Sequence, residues 1–584
     1  MEESARHQSV NELKKVLGPA LLTVICLGQI IGSGIFVLTG TAAHDYAGPA
    51  VVLSYCVSAI MAFVSAMTFV EMAVDYPLAG SSFNYTLAVM GEFPAWVTIT
   101  AIVVDAILAG GVVARAWSGY LAVLCGRNSS FFIINSHGTQ LDFVAFGVTM
   151  FITAIVAYGT KESATFNFIF KGTNILLIVL ILCLSFPHAN KQNWADFWHF
   201  GDAGVFGAAA VVVFAYNGYN AACNMAEEAR NPKRDLPIAI IGSLTLATTL
   251  YVLMAIAITL MVPFYQIDVL APFSAAFTKI PGWGWCQYLV SVGAVFGIGT
   301  VLLIQIMTIT REFLVMARHN LIPSWFAYVN GFTGTPLRIT LIFGTIKAIL
   351  ALCLPLKELA SLVNFGYLFV AFMVASSVLI RRYHQRGITH SGPTIIRWAL
   401  IVLFSIGFAA SYKAWPHAKP LKWVALLVFA IAIIATCTSF YLMKQVYTPA
   451  GFKIYGVPYV CGFAIFGAFF LIASLGSEAV SRFFIVLIVI SFLYLVYGVH
   501  AAESHDNDLD GARIERERQA ADMKVGALEM GKGDAGKGAG ANGSAAAIED
   551  AKFGAHHDHM PGYHAPHEDV RMVDTPYAHI PNKV

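Results

Sequence analysis

The chain has 584 residues, of which 58% are hydrophobic and only 12% are charged. Soluble domains carry about a quarter charged residues, so this composition indicates a protein whose solvent is lipid. The 36 lysines and arginines nearly balance the 34 aspartates and glutamates. This balance provides neither the basic surface of a nucleic-acid-binding protein nor the acidic tract of a metal store, so no nucleic-acid partner is expected.

Apolar segments long enough to cross a bilayer follow one another along most of the chain. Residues 1–15 are polar and lack the cleavage site of a signal peptide, so they are predicted to remain as a cytoplasmic N-terminus. Because a span needs about 20 mostly apolar residues, residues 16–501 are predicted to form an all-α integral membrane domain of about 14 helices. The predicted spans are 16–41, 48–74, 95–114, 141–158, 165–186, 204–228, 237–262, 285–310, 339–355, 358–380, 396–412, 421–443, 456–476 and 480–501.

The distribution of positive charge sets the predicted orientation. With the N-terminus inside, the inner segments hold more lysine and arginine than the outer loops. The positive-inside rule therefore predicts that both termini are cytoplasmic. The same topology places the glycosylation sequon that begins at Asn128 outside.

The composition changes abruptly after His500 and favours a disordered cytoplasmic tail over residues 502–584. This tail is first charged, then rich in glycine, alanine and lysine, and finally histidine-containing. No histidine spacing matches a metal cage, and the nine cysteines are scattered singly without a CxxC pair, so no metal is predicted. The chain also lacks a GxSxG elbow, an HExxH pair and a phosphate loop, so neither an enzyme nor a cofactor is predicted.

Two predicted spans are interrupted near the middle of their apolar length. Span 1 carries Gly32, Ser33 and Gly34 within LGQIIGSGIFVLTG, and span 6 carries a second interruption at 214–220. Unwound backbone at membrane depth persists only where it lines a cavity enclosed by protein. Paired breaks in two repeats are typical of a transporter binding site at the midplane. The alternative is that these glycines only allow two helices to pack closely.

The freed backbone groups of the two breaks predict the chemistry of a ligand. N–H groups between Gly32 and Ile35 suit a carboxylate, because the N-terminus of a helix attracts anions. Carbonyl groups freed by both breaks suit an ammonium. Together they predict a receptor for the zwitterionic end of an amino acid.

Isolated charges inside the apolar runs supply two further candidates. Asp105 in span 3 is flanked by apolar residues, and a carboxylate at that depth is costly and usually functional. It is predicted to pair with a substrate cation or a proton, the alternative being an internal pair with a basic residue such as Lys347. Lys171 in span 5 either extends toward the cytoplasmic surface or carries a proton.

Several stretches in chain order resemble the cationic amino acid transporter family of the amino acid–polyamine–organocation superfamily, most closely its plant-type branch. They are IIGSGIFVLTG at 30–40, AGPAVVLSY at 47–55, PLAGSSFNY at 77–85, VVARAWSGY at 112–120, GTKESATFN at 159–167, NMAEEARNPKRDLPIAIIGS at 224–243, APFSAAF at 271–277 and, more loosely, YGVPYV at 455–460. The resemblance implies a LeuT-like fold of two inverted five-helix repeats with discontinuous helices 1 and 6. The repeats would occupy about 16–186 and 204–380, with four extra helices at 396–501 and alternating access around a central site.

The same resemblance implies roles for individual residues. Asp105 would face a cationic side chain, and Phe214 would close over the substrate as a gate on the extracellular side. Where relatives usually carry an apolar residue, phenylalanine and aspartate, this chain has Asn217, Tyr219 and Asn220, so the cavity has one carboxylate fewer than expected. The residues implied to hold the substrate carboxylate are Ile31, Gly32, Ser33, Gly34 and Ile35.

The resemblance leaves the coupling open. Bacterial relatives carry a lysine, and plant-type relatives a histidine, at the position that Asn174 occupies here, and an asparagine cannot titrate. Transport is therefore expected to be uncoupled, or to use a proton carried by Lys171.

The resulting hypothesis is a carrier of amino acids, with arginine and lysine first and neutral amino acids as the alternative. A nutrient sensor that keeps the carrier fold and signals through its tail is a second hypothesis, and an ion channel, which would need a continuous polar pore, is a third. The plasma membrane is expected rather than the vacuolar membrane.

Overall fold

A computed structural model describes residues 17–32, 34–77, 80–136, 139–158, 174–318, 324–329, 335–385, 389–414, 419–449 and 451–493. Ser33, Lys171, the N-terminus before residue 17 and the predicted tail lie outside the described residues. The predictions for these four regions therefore stay predictions.

The described chain is almost entirely helical. Its helices are α1 (Pro19–Ile30), α2 (34–47), α3 (Val51–Asp75), α4 (Ser81–Met90), α5 (Glu92–Leu124), α6 (Phe143–Tyr158), α7 (174–185), α8 (Gly201–Val212), α9 (Asn220–Asn224), α10 (Pro232–Met261), α11 (Pro272–Thr278), α12 (Cys286–Arg318), α13 (Leu337–Cys353), α14 (Leu356–Tyr383), α15 (Ser391–Ala414), α16 (Lys419–Ser439), α17 (Tyr459–Ser474) and α18 (Ser477–Leu493). Within the described residues, 8 helical stretches are long and apolar enough to cross a membrane, and shorter apolar helices accompany them. An integral membrane protein built of helices is thus confirmed, whereas the count of about 14 spans and the repeat boundaries stay predictions.

Local sequence signals explain where several helices begin and end. Pro19, Pro232 and Pro272 lie in the first turn of α1, α10 and α11, where a missing backbone N–H leaves no bond unmade. Gly91 has a φ of 101° between α4 and α5, a conformation that glycine adopts without strain. The chain therefore turns sharply there and α5 begins at Glu92.

The two predicted interruptions are real breaks in helical structure. The α1 helix ends at Ile30, and helical structure resumes at Gly34, where α2 combines wide π-helical turns with one α-helical turn. The α8 helix passes into a 3₁₀ turn over Val213–Tyr216, and α9 begins only at Asn220. The prediction that spans 1 and 6 are discontinuous is therefore confirmed in the backbone.

A short β-hairpin interrupts the helical architecture and was not predicted. Strands β1 (Ile133–Ser136) and β2 (Thr139–Asp142) pair antiparallel in the connection between α5 and α6. The Arg115 side chain of α5 donates hydrogen bonds to the carbonyl oxygens of Gln140 in the hairpin and Ala351 in α13. This arginine therefore joins the hairpin to the end of α13, whose free carbonyl groups favour a nearby cation.

The buried core surrounds the two breaks, and α15 and α16 contribute only a few side chains to it. Helix α5 packs against α12, α13 and α14, while α10 packs against α1 and α3. Helices α15 and α16 pack mainly against each other, whereas α17 contacts α15 and also packs against α14, α3 and α8. The breaks thus lie between a layer containing α10 and α3 and a layer containing α5, α12 and α14.

Candidate functional site

The backbone breaks contact each other directly, and glycine makes the contact possible. A β carbon at Gly34 would overlap the backbone of Ala215, so only a hydrogen fits between the two chains. Gly218 has a φ of 151°, and a β carbon there would lie 2.7 Å from the backbone nitrogen of Ile30. Both contacts require the small residue at each break. The helix-packing explanation of these glycines and the binding-site explanation are therefore compatible.

A tyrosine that the sequence analysis missed joins the two breaks. The Tyr251 hydroxyl of α10 lies 2.6 Å from the carbonyl oxygen of Ile30 and 3.0 Å from that of Ala215. These two carbonyl groups lose their helical partners where α1 and α8 end, so the hydroxyl satisfies acceptors that the breaks create. Tyr251 therefore fixes the spacing between the breaks.

Of the five residues predicted to hold a carboxylate, the four that the structure describes lie at the first break. Ile31 directly follows the end of α1, and its N–H donates to the Leu27 carbonyl oxygen at 2.8 Å. Gly32 faces α12, since a β carbon there would lie 2.7 Å from Val301. Gly34 and Ile35 open α2 and are buried. Ser33 lies outside the described residues.

The Phe214 ring is buried beside the second break. Its backbone N–H donates to the side-chain oxygen of Asn364 in α14 at 2.9 Å. Asn364 is fully buried and was not singled out from the sequence. It stabilises the 3₁₀ turn, because it occupies a donor that the end of α8 exposes.

Asp105 lies at the second break, in contact with Asn217. The Asn217 amide nitrogen is 3.3 Å from Asp105 Oδ2, whereas the buried Oδ1 has no hydrogen-bond partner among the described residues. Gly366 of α14 makes room for this side chain, because a β carbon there would lie 3.0 Å from Asp105 Cβ. An unpartnered carboxylate oxygen in the bundle interior is suited to a ligand that donates hydrogen bonds.

The alternative partner for Asp105 is not in contact with it. The Lys347 ammonium donates to the Gln305 carbonyl oxygen at 3.2 Å, and the described ion pairs do not join it to Asp105. Lys347 is fully buried on α13 and acts on Asp105 through space. The Asp105 carboxylate therefore remains available to a ligand.

The remaining candidates fall on both sides of the site. Asn174 of α7 lies at the first break, with its amide nitrogen 3.4 Å from the Ile31 carbonyl oxygen and its Oδ1 buried without a partner among the described residues. Asn220 begins α9 and is partly accessible, but it is Asn217 that contacts Asp105. Lys171, the coupling candidate, lies outside the described residues. Within those residues, no group of three histidine, cysteine or acidic side chains is arranged to hold a metal ion.

Comparisons with known proteins agree with this geometry. The model of the family described as "Amino acid permease" matches residues 17–418. Cationic amino acid transporter 1 of Arabidopsis thaliana is 36% identical, covering 85% of this chain and 84% of that protein. Cationic amino acid transporter 8, vacuolar, of the same plant is 34% identical over 88% of both chains. The branched-chain amino acid permease BcaP of Bacillus subtilis (strain 168) is 31% identical, covering 83% of this chain and 93% of that permease.

Proposed function

This chain belongs to the amino acid permease family, and from that membership we propose that it is a secondary transporter that moves amino acids by alternating access. The paired breaks support this proposal most directly. They bring Gly34 against Ala215 and Gly218 against Ile30, with Tyr251 bridging their carbonyl groups. Discontinuous helices that meet inside a bundle provide free N–H and C=O groups for a substrate.

The substrates we propose are cationic amino acids first, arginine and lysine. Asp105 supports this choice, since this partly accessible residue has a buried carboxylate oxygen without a partner in the described part of the chain. Plant relatives named cationic amino acid transporters support it as well. Neutral amino acids are the second candidate, because Asn217 and Asn220 add amide groups rather than charge and because a branched-chain amino acid permease also matches.

Within this mechanism, the backbone from Ile31 to Ile35 would hold the substrate carboxylate. The Phe214 ring would close over the substrate on the extracellular side. The 14-helix count and the inverted repeats belong to the same proposal. They follow from the family resemblance and from the corresponding positions of the two breaks.

Uptake into liposomes that contain the purified protein tests the proposed function. Labelled arginine, lysine, glutamine and leucine are offered separately, with protein-free liposomes as the control. Saturable uptake of arginine and lysine that unlabelled substrate inhibits is the expected result. Uptake of leucine or glutamine in preference to both cations would favour the neutral alternative. Single-channel currents without saturable uptake of any of the four would contradict a carrier.

We propose that the transport of cationic substrates is not coupled to protons. Asn174 cannot titrate, and the membrane potential alone favours cation entry by about 2.3 kcal/mol per 100 mV. A proton carried by Lys171 is the alternative. A pH gradient imposed on the same liposomes, with the potential clamped at zero, distinguishes uncoupled transport from transport with a proton carried by Lys171. Arginine accumulation that disappears in Lys171→Met would establish the lysine, and no accumulation would indicate a uniporter.

The proposed location is the plasma membrane, with both termini cytoplasmic. Asn128, which begins the sequon, is exposed in the connection before the β-hairpin. If the topology is correct, this loop faces the lumen during synthesis in a eukaryotic host. A glycan that is lost in Asn128→Gln would support the orientation, whereas tagged protein found in vacuolar membranes would contradict the proposed location.

A further inference from the structure

A second carboxylate lies near Asp105 in the interior of the bundle. Glu312 of α12 accepts a hydrogen bond from the Asn224 amide at 3.3 Å and acts on Asp105 electrostatically. Asp105 and Glu312 are partly accessible residues, whereas Lys347, which acts on both, is completely buried. The lysine is thus the most enclosed of these three charged side chains.

Polar side chains from several elements, here called the polar lining, include and contact these two carboxylates. Six of them are partly accessible although they lie within an apolar bundle, namely Asp105, Asn217, Asn220, Asn224, Gln305 and Glu312. Three of these side chains carry a buried oxygen without a hydrogen-bond partner among the described residues, namely Asp105 Oδ1, Asn224 Oδ1 and Gln305 Oε1. Buried polar atoms are nearly always paired, so these unpaired acceptors predict a ligand that supplies hydrogen-bond donors.

The charge of this lining is unbalanced. Asp105 and Glu312 contribute two negative charges and Lys347 contributes one positive charge, which leaves one excess negative charge among the described side chains. A further titratable group that acts on Asp105 is a tyrosine. Tyr367 acts on Asp105 from α14 and donates to the Tyr219 hydroxyl at 3.2 Å, and tyrosines are neutral near pH 7. An uncompensated charge inside an apolar bundle is costly, so the lining requires one further positive charge.

Close packing keeps Lys347 next to these carboxylates, so the excess stays at one negative charge. A β carbon at Gly110 of α5 would lie 2.7 Å from Lys347 Cδ, so glycine makes room for the lysine stem to run behind Asp105. The ammonium donates to the Gln305 carbonyl oxygen at 3.2 Å, so it has a hydrogen-bond partner of its own inside the bundle. Lys347 therefore offsets one of the two carboxylates without occupying the place of a ligand.

We propose that Asp105, Glu312 and Lys347 form a charge-balance unit that admits one positive charge in each transport cycle. With arginine or lysine, the substrate side chain supplies this charge. With a neutral amino acid, a proton supplies it. The proton comes from water on the loading side, binds a carboxylate oxygen of Asp105 or Glu312, and returns to water on the other side. This inference rests on the proposed function, because it assigns the ion that accompanies each class of amino acid.

The test measures protons moved per substrate molecule in liposomes that contain the full-length protein. A pH dye inside the liposomes reports proton entry while labelled leucine, glutamine or arginine is taken up, with the potential clamped at zero by potassium and valinomycin. The expected result is one proton with each leucine or glutamine and none with arginine. One positive charge would then cross with every substrate.

Two variants change the charge count in opposite directions. Glu312→Gln removes the excess negative charge, so leucine should enter without a proton and arginine uptake at low concentration should fall tenfold or more. Lys347→Met removes the one positive charge and leaves two excess negative charges, so arginine should now bring a proton with it. Glu358→Gln is the matched control, because Glu358 is an exposed carboxylate that pairs with Arg482 at the beginning of α14. It should leave both ratios unchanged.

Several results would overturn the charge-balance unit while leaving amino acid transport intact. These are an equal proton ratio for arginine and leucine, a proton flux that disappears in Lys171→Met, and arginine uptake with no uptake of leucine or glutamine. If size-exclusion chromatography shows that Glu312→Gln does not fold, the proton-to-substrate ratios of the wild type and of Lys347→Met test the proposal. Failure of the proposed function looks different, since no amino acid would then be taken up.

Discussion

Helices α14 and α16 have similar hydropathy but opposite environments. In α14, 94% of the most apolar stretch is buried, whereas in α16 the corresponding share is 28%. The α14 helix contributes Asn364 to the second break and carries a buried arginine, Arg382, near its end. The α16 helix instead exposes Trp423, Leu427 and other apolar side chains.

This difference shows that identifying a membrane span does not by itself assign its role. Hydropathy identifies both helices as membrane spans, because length and apolar content are common to them. The polar side chains tell them apart, since asparagine and arginine inside a bundle need partners that only neighbouring helices provide. We therefore expect substitutions around α14 and the breaks to have large effects, and similar substitutions on lipid-facing surfaces to have small ones.

The largest expected effect is at the contact between the breaks. Gly34→Val places a branched side chain against the Ala215 backbone, so saturable uptake should be lost, by about a hundredfold or more. Gly147→Val on α6 is the matched control, because no other atom lies within 4 Å of a β carbon at that position. Saturable arginine uptake retained by Gly34→Val would reject the first break as the binding site.

The next effect concerns the stability of the core. Arg382 donates to both carboxylate oxygens of Glu71, and the Ile454 N–H donates to the same carboxylate at 2.9 Å. Arg382→Gln leaves a buried carboxylate without its ion pair, so stability should fall by about 3–5 kcal/mol. Thermal unfolding of the detergent-purified protein measures this loss. A change below about 1 kcal/mol would mean that α14 is less enclosed than its burial indicates.

Asp105→Asn tests the chemistry of the site rather than its packing. Arginine uptake should fall tenfold or more, because a partly desolvated ion pair contributes at least ~1.5 kcal/mol to binding. Leucine uptake should change much less. Asp202→Asn at the exposed beginning of α8 is the control and should leave both unchanged. Equal losses for arginine and leucine would indicate a structural role for Asp105.

Sequence reasoning identified the elements of the site but only some of the contacts between them. Glycine runs inside apolar segments predicted both breaks. An isolated aspartate predicted a functional carboxylate, but not its contact with Asn217, 112 residues away. Glu312 was missed because the predicted span ended at residue 310, before the charged Arg311 and Glu312. The α12 helix continues to Arg318, so Glu312 lies inside the bundle.

The other omissions depend on distant parts of the chain. Tyr251 lies in an ordinary apolar run, and its importance follows from a carbonyl group 221 residues earlier. The position of Lys347 behind Asp105 likewise depends on the packing of α13 against α5 at Gly110. A single sequence records neither contact, because local patterns set helices but not which helix faces which.

Tyr251→Phe should have a moderate effect. The change removes one hydroxyl that serves two carbonyl groups and leaves the ring in place, so a loss of about 1 kcal/mol is expected. If the spacing of the breaks determines binding, arginine uptake at low concentration should fall roughly fivefold. Tyr265→Phe is the control, because its side chain is 63% exposed. An unchanged uptake in Tyr251→Phe would show that the breaks keep their spacing without the hydroxyl.

The smallest effect is expected at the junction between core and periphery. The exposed Arg482 of α18 pairs with Glu358 of α14, and its side chain is about half accessible. Because water and ions screen such a pair, Arg482→Gln should change stability by only about 0–1 kcal/mol. It is also the matched control for Arg382→Gln, since the same substitution breaks an ion pair of α14 in each case. A loss at Arg482 as large as that at Arg382 would mean that α18 belongs to the core, and the contrast between enclosed and lipid-facing helices would then fail at this point.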